Sequence, residues 1–265
     1  MDNPLASPQT WDLVAGAYLE ETVPVFARFA AEALRLAGVR AGDRVLDVAC
    51  GPGTLALIAA PAVARVDALD FSPAMIELLV ACAPANVFAR VGDGQALPYE
   101  DASFDAAFSL FGLIFFPDRA AGLSELRRVL KPGGRAVISS WPASEQAPFV
   151  DIIFQAMREQ TSAPPVKQAL AEPAEYDAEL GAAGFRDVRI ERVAAVITAP
   201  SLDALWASFA RSMAPLVILR RTLGQARWAV LAGTIVERLR SRFGSGEQCV
   251  ELPAWIGVGA SSGRP

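Results

Sequence analysis

The sequence predicts an α/β fold, a doubly wound sheet with helices on both faces, and three observations carry that prediction. Between Val45 and Trp141 short apolar runs alternate with stretches of helical periodicity, the pattern of a parallel sheet covered by its crossover helices. The first apolar run leads directly into glycines in "VLDVACGPGTLA", Val45 to Ala56, and from Gly51 the spacing matches G-x-G-x-x-A. The chain has 265 residues, 53% of them hydrophobic, enough to bury a sizeable core without covalent staples.

Each element follows from its local pattern. "RVLDV" reads as the first strand, and "GTLALIAA" opens a helix that Pro61 ends or kinks. "RVDALD" is the second strand. Ser72 then caps a helix with Pro73 at its first position, and Ile76, Leu79, Val80 and Ala83 share one face. "NVFARV" is the third strand, and the loop "GDGQALPYEDAS" leads into the fourth, "FDAAFSLF". Asp118 caps the helix "RAAGLSELRRVL", whose buried stripe is Leu123, Leu126 and Leu130. "KPGG" reads as a turn into the fifth strand, "RAVISSW".

The flanks have a different character. Phe26, Phe29, Ala30, Ala33 and Ala37 recur at helical spacing, so an N-terminal helix should pack on the sheet. After Trp141 a helical stretch runs from Phe149 to Glu159. Then come the break "SAPP", the segment "YDAELGAAGF" and the strand "RDVRIERVAAVITA". Residues 201–243 read as two amphipathic helices. One face of the first carries Leu202, Leu205, Trp206, Phe209 and Met213; one face of the second carries Trp228, Leu231, Ile235 and Leu239. "CVELPAWIGVG" reads as a last strand, and the tail "ASSGRP" is expected to be disordered. The chain thus divides, as one domain, into an N-terminal helical cap (1–40), a core (41–145), connecting helices and strand (146–200), a helical lid (201–246) and the last strand (247–259).

Composition excludes several chemistries. There is no histidine, so any mechanism that needs an imidazole base or ligand is ruled out, including Ser-His-Asp hydrolysis. Cys50, Cys82 and Cys249 form no C-x-x-C pair, so neither a disulfide framework nor a metal site is expected. The net charge is −5 with Lys and Arg scattered, which leaves no footprint for nucleic acid. "MDNPLASPQT" lacks a signal-peptide pattern, and no run approaches the roughly 18 apolar residues of a membrane span. The expectation is a cytoplasmic protein, monomer or homodimer, whose partner is a small molecule rather than a membrane or a nucleic acid.

The glycine loop poses the functional question. A loop of this form can receive a dinucleotide pyrophosphate on its N–H groups and the following helix N-terminus. Asp47 lies just upstream, and like charges about 4 Å apart repel by roughly 1–4 kcal/mol near a surface. A cofactor with a cationic end and no phosphate suits the acid better, and S-adenosylmethionine is such a molecule. Asp70 ends the second strand, where a carboxylate can accept two ribose hydroxyls, although NAD would offer the same. Asp93 follows the third strand between Gly92 and Gly94, placed to accept from an adenine amino group. Alone, Asp70 or Asp93 is equally a turn residue.

"VLDVACGPGTLA", "LDFSPAMIELL", "GDGQALPYEDASFD" and "ELRRVLKPGGRAVISSW", in this order and spacing, resemble the class I S-adenosylmethionine-dependent methyltransferases, within them the small-molecule (methyltransferase type 11) group that includes the ubiquinone- and menaquinone-biosynthesis enzymes. The likeness is strong over residues 40–141 and weak in the flanks. It implies a Rossmann-like seven-stranded methyltransferase sheet with an N-terminal helical cap and an inserted helical lid before the last strand. It also implies S-adenosylmethionine as cofactor, with S-adenosylhomocysteine as product. By position it places Gly51 and Gly53 beneath the methionyl part, with Asp47 and the Ala49 carbonyl facing its amino group. Asp70 would hold the ribose, Phe71 and Met75 would wall the adenine, and Asp93 and Gly94 would meet its edge beside Gln95. Ser109 and Phe111 would floor the site, and "WDLVAGAYLE" would bring Trp11 and Tyr18 over it. Relatives often carry polar or histidine residues after the fourth strand, where this chain has "FGLIFFPD".

The expected reaction is methyl transfer to a hydrophobic or aromatic small molecule, a natural-product or quinone-type intermediate, by in-line displacement governed by alignment and exclusion of water. Tyr18 is the candidate base if one is used. Trp206, Phe209 and Met213 are candidate acceptor contacts, although such a stripe is more often core. Cys50 reads as a small buried residue rather than a nucleophile. Two other readings stay open on the sequence: an NAD(P)-dependent oxidoreductase, and a non-catalytic S-adenosylmethionine-binding protein.

Overall fold

A computed structural model describes residues 3–161 and 168–262 of the chain. Seven strands form one sheet: β1 (Arg44–Val48), β2 (Arg65–Asp70), β3 (Val87–Val91), β4 (Phe104–Leu110), β5 (Leu130–Ser140), β6 (Phe185–Ala199) and β7 (Gln248–Ser261). Their order is β3-β2-β1-β4-β5-β7-β6. β1 to β5 run parallel, while β7 is antiparallel to both β5 and β6. Nine α-helices are described: α1 (Pro8–Ala17), α2 (Val23–Ala37), α3 (Thr54–Ala59), α4 (Pro73–Val80), α5 (Arg119–Val129), α6 (Pro148–Thr161), α7 (Pro173–Ala182), α8 (Leu202–Ser212) and α9 (Ala214–Phe243).

The core strands are apolar because helices cover both their faces. On one face α2 and α3 bury Phe29, Ala33, Leu55 and Ala59 against Val45, Val66 and Phe108. On the other, α5 and α7 bury Leu123, Leu126 and Tyr176 against Leu46, Ala107 and Ile138. The caps are those the residues foretell: Ser72 Oγ accepts from Met75 N, and Asp118 accepts from Ala121 N.

The structure corrects several boundaries. α4 ends at Val80, so Ala83 lies beyond it, and Val80 is 58% exposed; only Ile76 and Leu79 of that predicted face are buried. Leu130 is buried as the first residue of β5 rather than in α5. "KPGG" bulges within β5: Phe104 pairs with Leu130, but Ala106 pairs with Arg135. A Cβ at Gly134 would lie 2.9 Å from the Lys131 carbonyl and 3.0 Å from that of Asp105, so only glycine fits there. The last strand is longer than expected, and Ala260 and Ser261 of the supposed tail pair with Arg186 and Phe185. "SAPP" and residues 263–265 lie outside the described residues.

Only the second half of β7, Trp255 to Ala260, pairs with β5. Its first half continues with β6 as a two-stranded ribbon beyond the sheet, and α8 and α9 are inserted between these two strands. α9 bends at Gly224, whose φ is +74°. Among the described residues no single helix is long and apolar enough to cross a membrane; α8 and α9 reach that composition only together, across an 81° bend.

Candidate active site

A cavity of about 430 Å³ opens at the C-terminal ends of β1, β2 and β4, where the strand order reverses. That is an ordinary size for a small-molecule site. Asp47, Ala49, Cys50, Gly51 and Thr54 line it from β1 and its loop. Asp70, Phe71 and Met75 come from the end of β2 and α4, and Gly92 to Gln95 from the loop after β3. Leu110, Phe111, Gly112, Phe115, Phe116 and Pro117 follow β4, and Ala6, Trp11, Tyr18, Phe26 and Ala30 close it from the N-terminal helices.

The acids are already engaged with the glycine loop. Asp47 accepts from Ala56 N at 3.1 Å, so its carboxylate caps α3 from the strand behind. Asp70 accepts from Gly51 N at 2.8 Å and from Ser72 N at 2.9 Å. Two N–H groups of this loop and helix therefore serve protein carboxylates, in a place where a pyrophosphate would need them. This arrangement opposes the dinucleotide reading.

Among the described residues neither acid has a cation beside it. Burial pushes Asp47 up to about 7, with the nearby Asp70 charge adding to the rise and the Ala56 N–H opposing it. Burial likewise raises Asp70 to about 6 against three backbone N–H donors, and Asp12 contributes further repulsion. Asp67, three residues before Asp70, shows the contrast. It too is buried, which raises its pKa, but Arg65 at 2.7 Å and Arg44 at 2.8 Å outweigh burial and hold it below the usual range. Among the described residues no lysine or arginine lines the cavity. An anionic ligand would find no cationic side chain there, whereas a group with an ammonium and hydroxyl donors would relieve both acids. The donor set fits S-adenosylmethionine in this respect.

The backbone is bent to make room. Ala49 and Phe111 have φ of +56° and +59°, strained values for residues with a Cβ, and both face the cavity. A Cβ at Gly112 would come within 2.3 Å of the Ala49 Cβ, so this glycine lets the β1 and β4 loops meet. At Gly94 a Cβ would strike Phe116 at 2.4 Å. One side of the cavity is aromatic. Phe111 stacks on Trp141 at 4.0 Å between centroids, Phe26 meets Phe111 at 4.7 Å, and Trp11 meets Phe115 at 5.2 Å.

Twelve of the expected cofactor residues line this cavity: Trp11, Tyr18, Asp47, Ala49, Gly51, Asp70, Phe71, Met75, Asp93, Gly94, Gln95 and Phe111. Gly53 and Ser109 do not. Gly53 turns the loop with φ +89° against Leu79, and Ser109 is buried below the floor with its hydroxyl unpartnered. Asp93 is exposed and folds onto Gln95, accepting from its N–H at 2.8 Å, which is the turn role weighed for it. Trp206, Phe209 and Met213 do not reach the cavity; they pack with α6 and α9 around Phe149 and Ile235. Cys50 lies at the wall with its thiol pushed well up by burial, as suits an inert residue. Burial, with Asp70 adding, pushes the Tyr18 phenol well above its ordinary value. Phe26 and Ala30 line the cavity although their spacing pointed only to packing. Asp12, which reaches α4, had no signal in the sequence.

The order of the sheet, with its antiparallel β7, and the acid-lined cleft define a Rossmann-like domain of the methyltransferase kind. Residues 46–138 match the family described as "Methyltransferase domain". Over 119 residues the chain is 44% identical to the ubiquinone/menaquinone biosynthesis C-methyltransferase UbiE of Geotalea uraniireducens, covering 42% of this chain and 49% of that protein. It is 36% identical over 140 residues to the demethylmenaquinone methyltransferase of Beutenbergia cavernae, covering 53% and 58%. The chain thus spans about half the length of the curated relatives it matches. The crystal structure of YcgJ from Bacillus subtilis superposes with a TM-score of 0.59 at 20% identity, over 89% of this chain and 98% of that one, a likeness of fold. Over residues 46–138 the chain is thus similar to a methyltransferase domain, and the curated relatives it resembles there are of the UbiE-like type.

Proposed function

We propose that this protein transfers a methyl group from S-adenosylmethionine to a neutral, apolar small molecule, of aromatic or quinone type. One observation carries the reading: one cavity combines buried acids at the glycine loop with an aromatic wall and, among the described residues, no basic side chain. Bound there, the cofactor would supply an activated methyl on a sulfonium. Asp47 and the Ala49 carbonyl would hold its amino group, and Asp70, whose carboxylate keeps acceptor capacity beyond its three backbone N–H donors, its ribose. Phe26, Phe111, Phe115 and Phe116 would exclude water and lay a flat acceptor against the methyl, so alignment does most of the catalytic work. The names of the two relatives, a ubiquinone/menaquinone biosynthesis C-methyltransferase and a demethylmenaquinone methyltransferase, agree with a quinone-type acceptor.

Tyr18 covers the cofactor in this reading and stays protonated across the working pH range, so it is no resting base. The test is turnover of S-adenosylmethionine with neutral aromatic acceptors and with carboxylate- or phosphate-bearing analogues. Neutral acceptors should be methylated, and Tyr18→Phe should lose less than the roughly 10²–10⁴-fold of a missing general base. Preferential methylation of the anionic analogues would refute the acceptor class.

A further inference from the structure

Residues 3–22 line one side of the cavity; Val14 and Ala15 pack on Met75 and Ala214, and polar contacts fasten the segment at two places. At the first, Asp12 of α1 accepts from Ser72 Oγ at 2.6 Å and from Ala74 N at 3.2 Å. At the second, Glu21 pairs with Arg211 of α8 and is hydrogen-bonded to Ser208. Between these points lies a π-helical turn, Tyr18–Thr22, a rare geometry that joins α1 to α2. Trp11 and Tyr18 project from this strap into the cavity, while Leu13 and Leu19 stay exposed on it.

Ser72 connects the strap to the acid site. Its hydroxyl donates to Asp12 and accepts from Met75 N, and its N–H donates to Asp70 Oδ1. A continuous hydrogen-bonded path therefore runs from the strap, through the cap of α4, to the Asp70 carboxylate. Phe71 and Met75, which wall the cavity, sit on the same turn. The charges of Asp12 and Asp70 oppose each other across Ser72, because docking the strap brings a second carboxylate towards Asp70. Hydroxyl donors at Asp70 would offset that repulsion, so occupancy of the cavity and docking of the strap would favour each other.

We propose that Asp12 is a positioning residue for the cofactor: it latches residues 3–22 over the cavity and, through Ser72, couples that closure to Asp70. The coupling to cofactor rests on the reading given under Proposed function; the latch itself rests on the hydrogen bonds. Asparagine at position 12 keeps an oxygen that can accept both bonds, whereas alanine removes them.

The experiment compares wild type, Asp12→Asn and Asp12→Ala by amide hydrogen exchange without ligand, and by stopped-flow release of S-adenosylhomocysteine read from tryptophan fluorescence. In Asp12→Ala, amides of residues 8–22 should exchange faster while those of β1 and β4 keep their protection. S-adenosylhomocysteine should leave about tenfold faster, within the usual range of coupling between two sites. Asp12→Asn should restore both properties towards wild type. Faster exchange throughout the core in Asp12→Ala would reduce Asp12 to a structural residue and overturn the proposal. Normal S-adenosylhomocysteine release with an unchanged strap would also overturn it. A loosened strap in a protein whose wild type does not bind S-adenosylhomocysteine would support the latch and overturn the cofactor reading instead.

Discussion

The loops above β1, β2 and β4 and the helical insert of α8 and α9, packed with α6, are both rich in aromatic and aliphatic side chains, yet the first borders the cavity and the second closes on itself. In the insert, Phe149, Leu205, Phe209, Ile235 and Leu239 close on one another, and Trp206 stacks near Trp228. Around the cavity the aromatics share the lining with the acids, and the backbone is strained at Ala49 and Phe111. Helices can rotate and slide until their apolar stripes meet. Parallel strands cannot, because their hydrogen bonds fix where the loops diverge, and the cleft between the loops of neighbouring strands stays open. An apolar stripe therefore marks burial, and a strand end marks a site.

The sharpest way to break this contrast is to hollow out the insert. Ile235→Ala should lower stability by about 2–5 kcal/mol in a denaturant melt, as for other buried aliphatic truncations. It should leave S-adenosylhomocysteine affinity unchanged; a clear loss of affinity would mean that the insert shapes the site after all. The counterpart in the cavity is Asp47→Asn, which keeps the side-chain volume and removes the charge. S-adenosylhomocysteine should bind about 1.5–3 kcal/mol more weakly by calorimetry, the worth of a hydrogen bond to a charged group. The melting temperature of the free protein should hold or rise, since a buried charge without a cation is removed.

Acidity sharpens the same contrast. The Asp47 pKa in the folded protein is about 7, well above that of an unfolded chain. The folded state therefore keeps a proton that the unfolded chain releases between roughly pH 4 and 7, and this group's contribution to stability falls as pH rises through that window. A ligand ammonium needs the ionised form, so its affinity should rise with pH, about tenfold between pH 6 and 8. Melting curves with and without S-adenosylhomocysteine at pH 5.5 and pH 8 check both signs. A ligand-induced shift larger at pH 5.5 would show that Asp47 does not face the amino group.

The smallest expected effect concerns strain. Ala49→Gly should stabilise the protein by about 0.5–1 kcal/mol, because glycine adopts the left-handed conformation without its Cβ penalty. Destabilisation in a thermal melt would show that the methyl contact with the β4 loop outweighs the strain.

Much of this was legible in the order of residues. The alternation of runs placed β1 to β5, the Ser72 and Asp118 caps placed two helices, and the acids at successive strand ends marked the cleft. The errors share a cause. Val80 and Ala83 continued a helical period past the point where α4 stops. Trp206, Phe209 and Met213 formed a face whose partner the period could not name. Asp12 lies 60 residues from Ser72, and nothing in its neighbourhood distinguishes it from any exposed acid.

By itself the sequence determined what depends on neighbours along the chain: strand and helix type from period, caps from side-chain oxygens within reach of nearby N–H groups, turns from glycine and proline. It also determined what depends on residue inventory, since a chain without histidine has no imidazole chemistry in any fold. Only the tertiary structure decided which apolar face closes into core and which borders a cavity, and that among the described residues Asp47 and Asp70 lie buried without a cation while Asp67 has two. Burial and charge pairing arise between residues distant in the chain, so they exist only once the sheet has set the strand ends side by side.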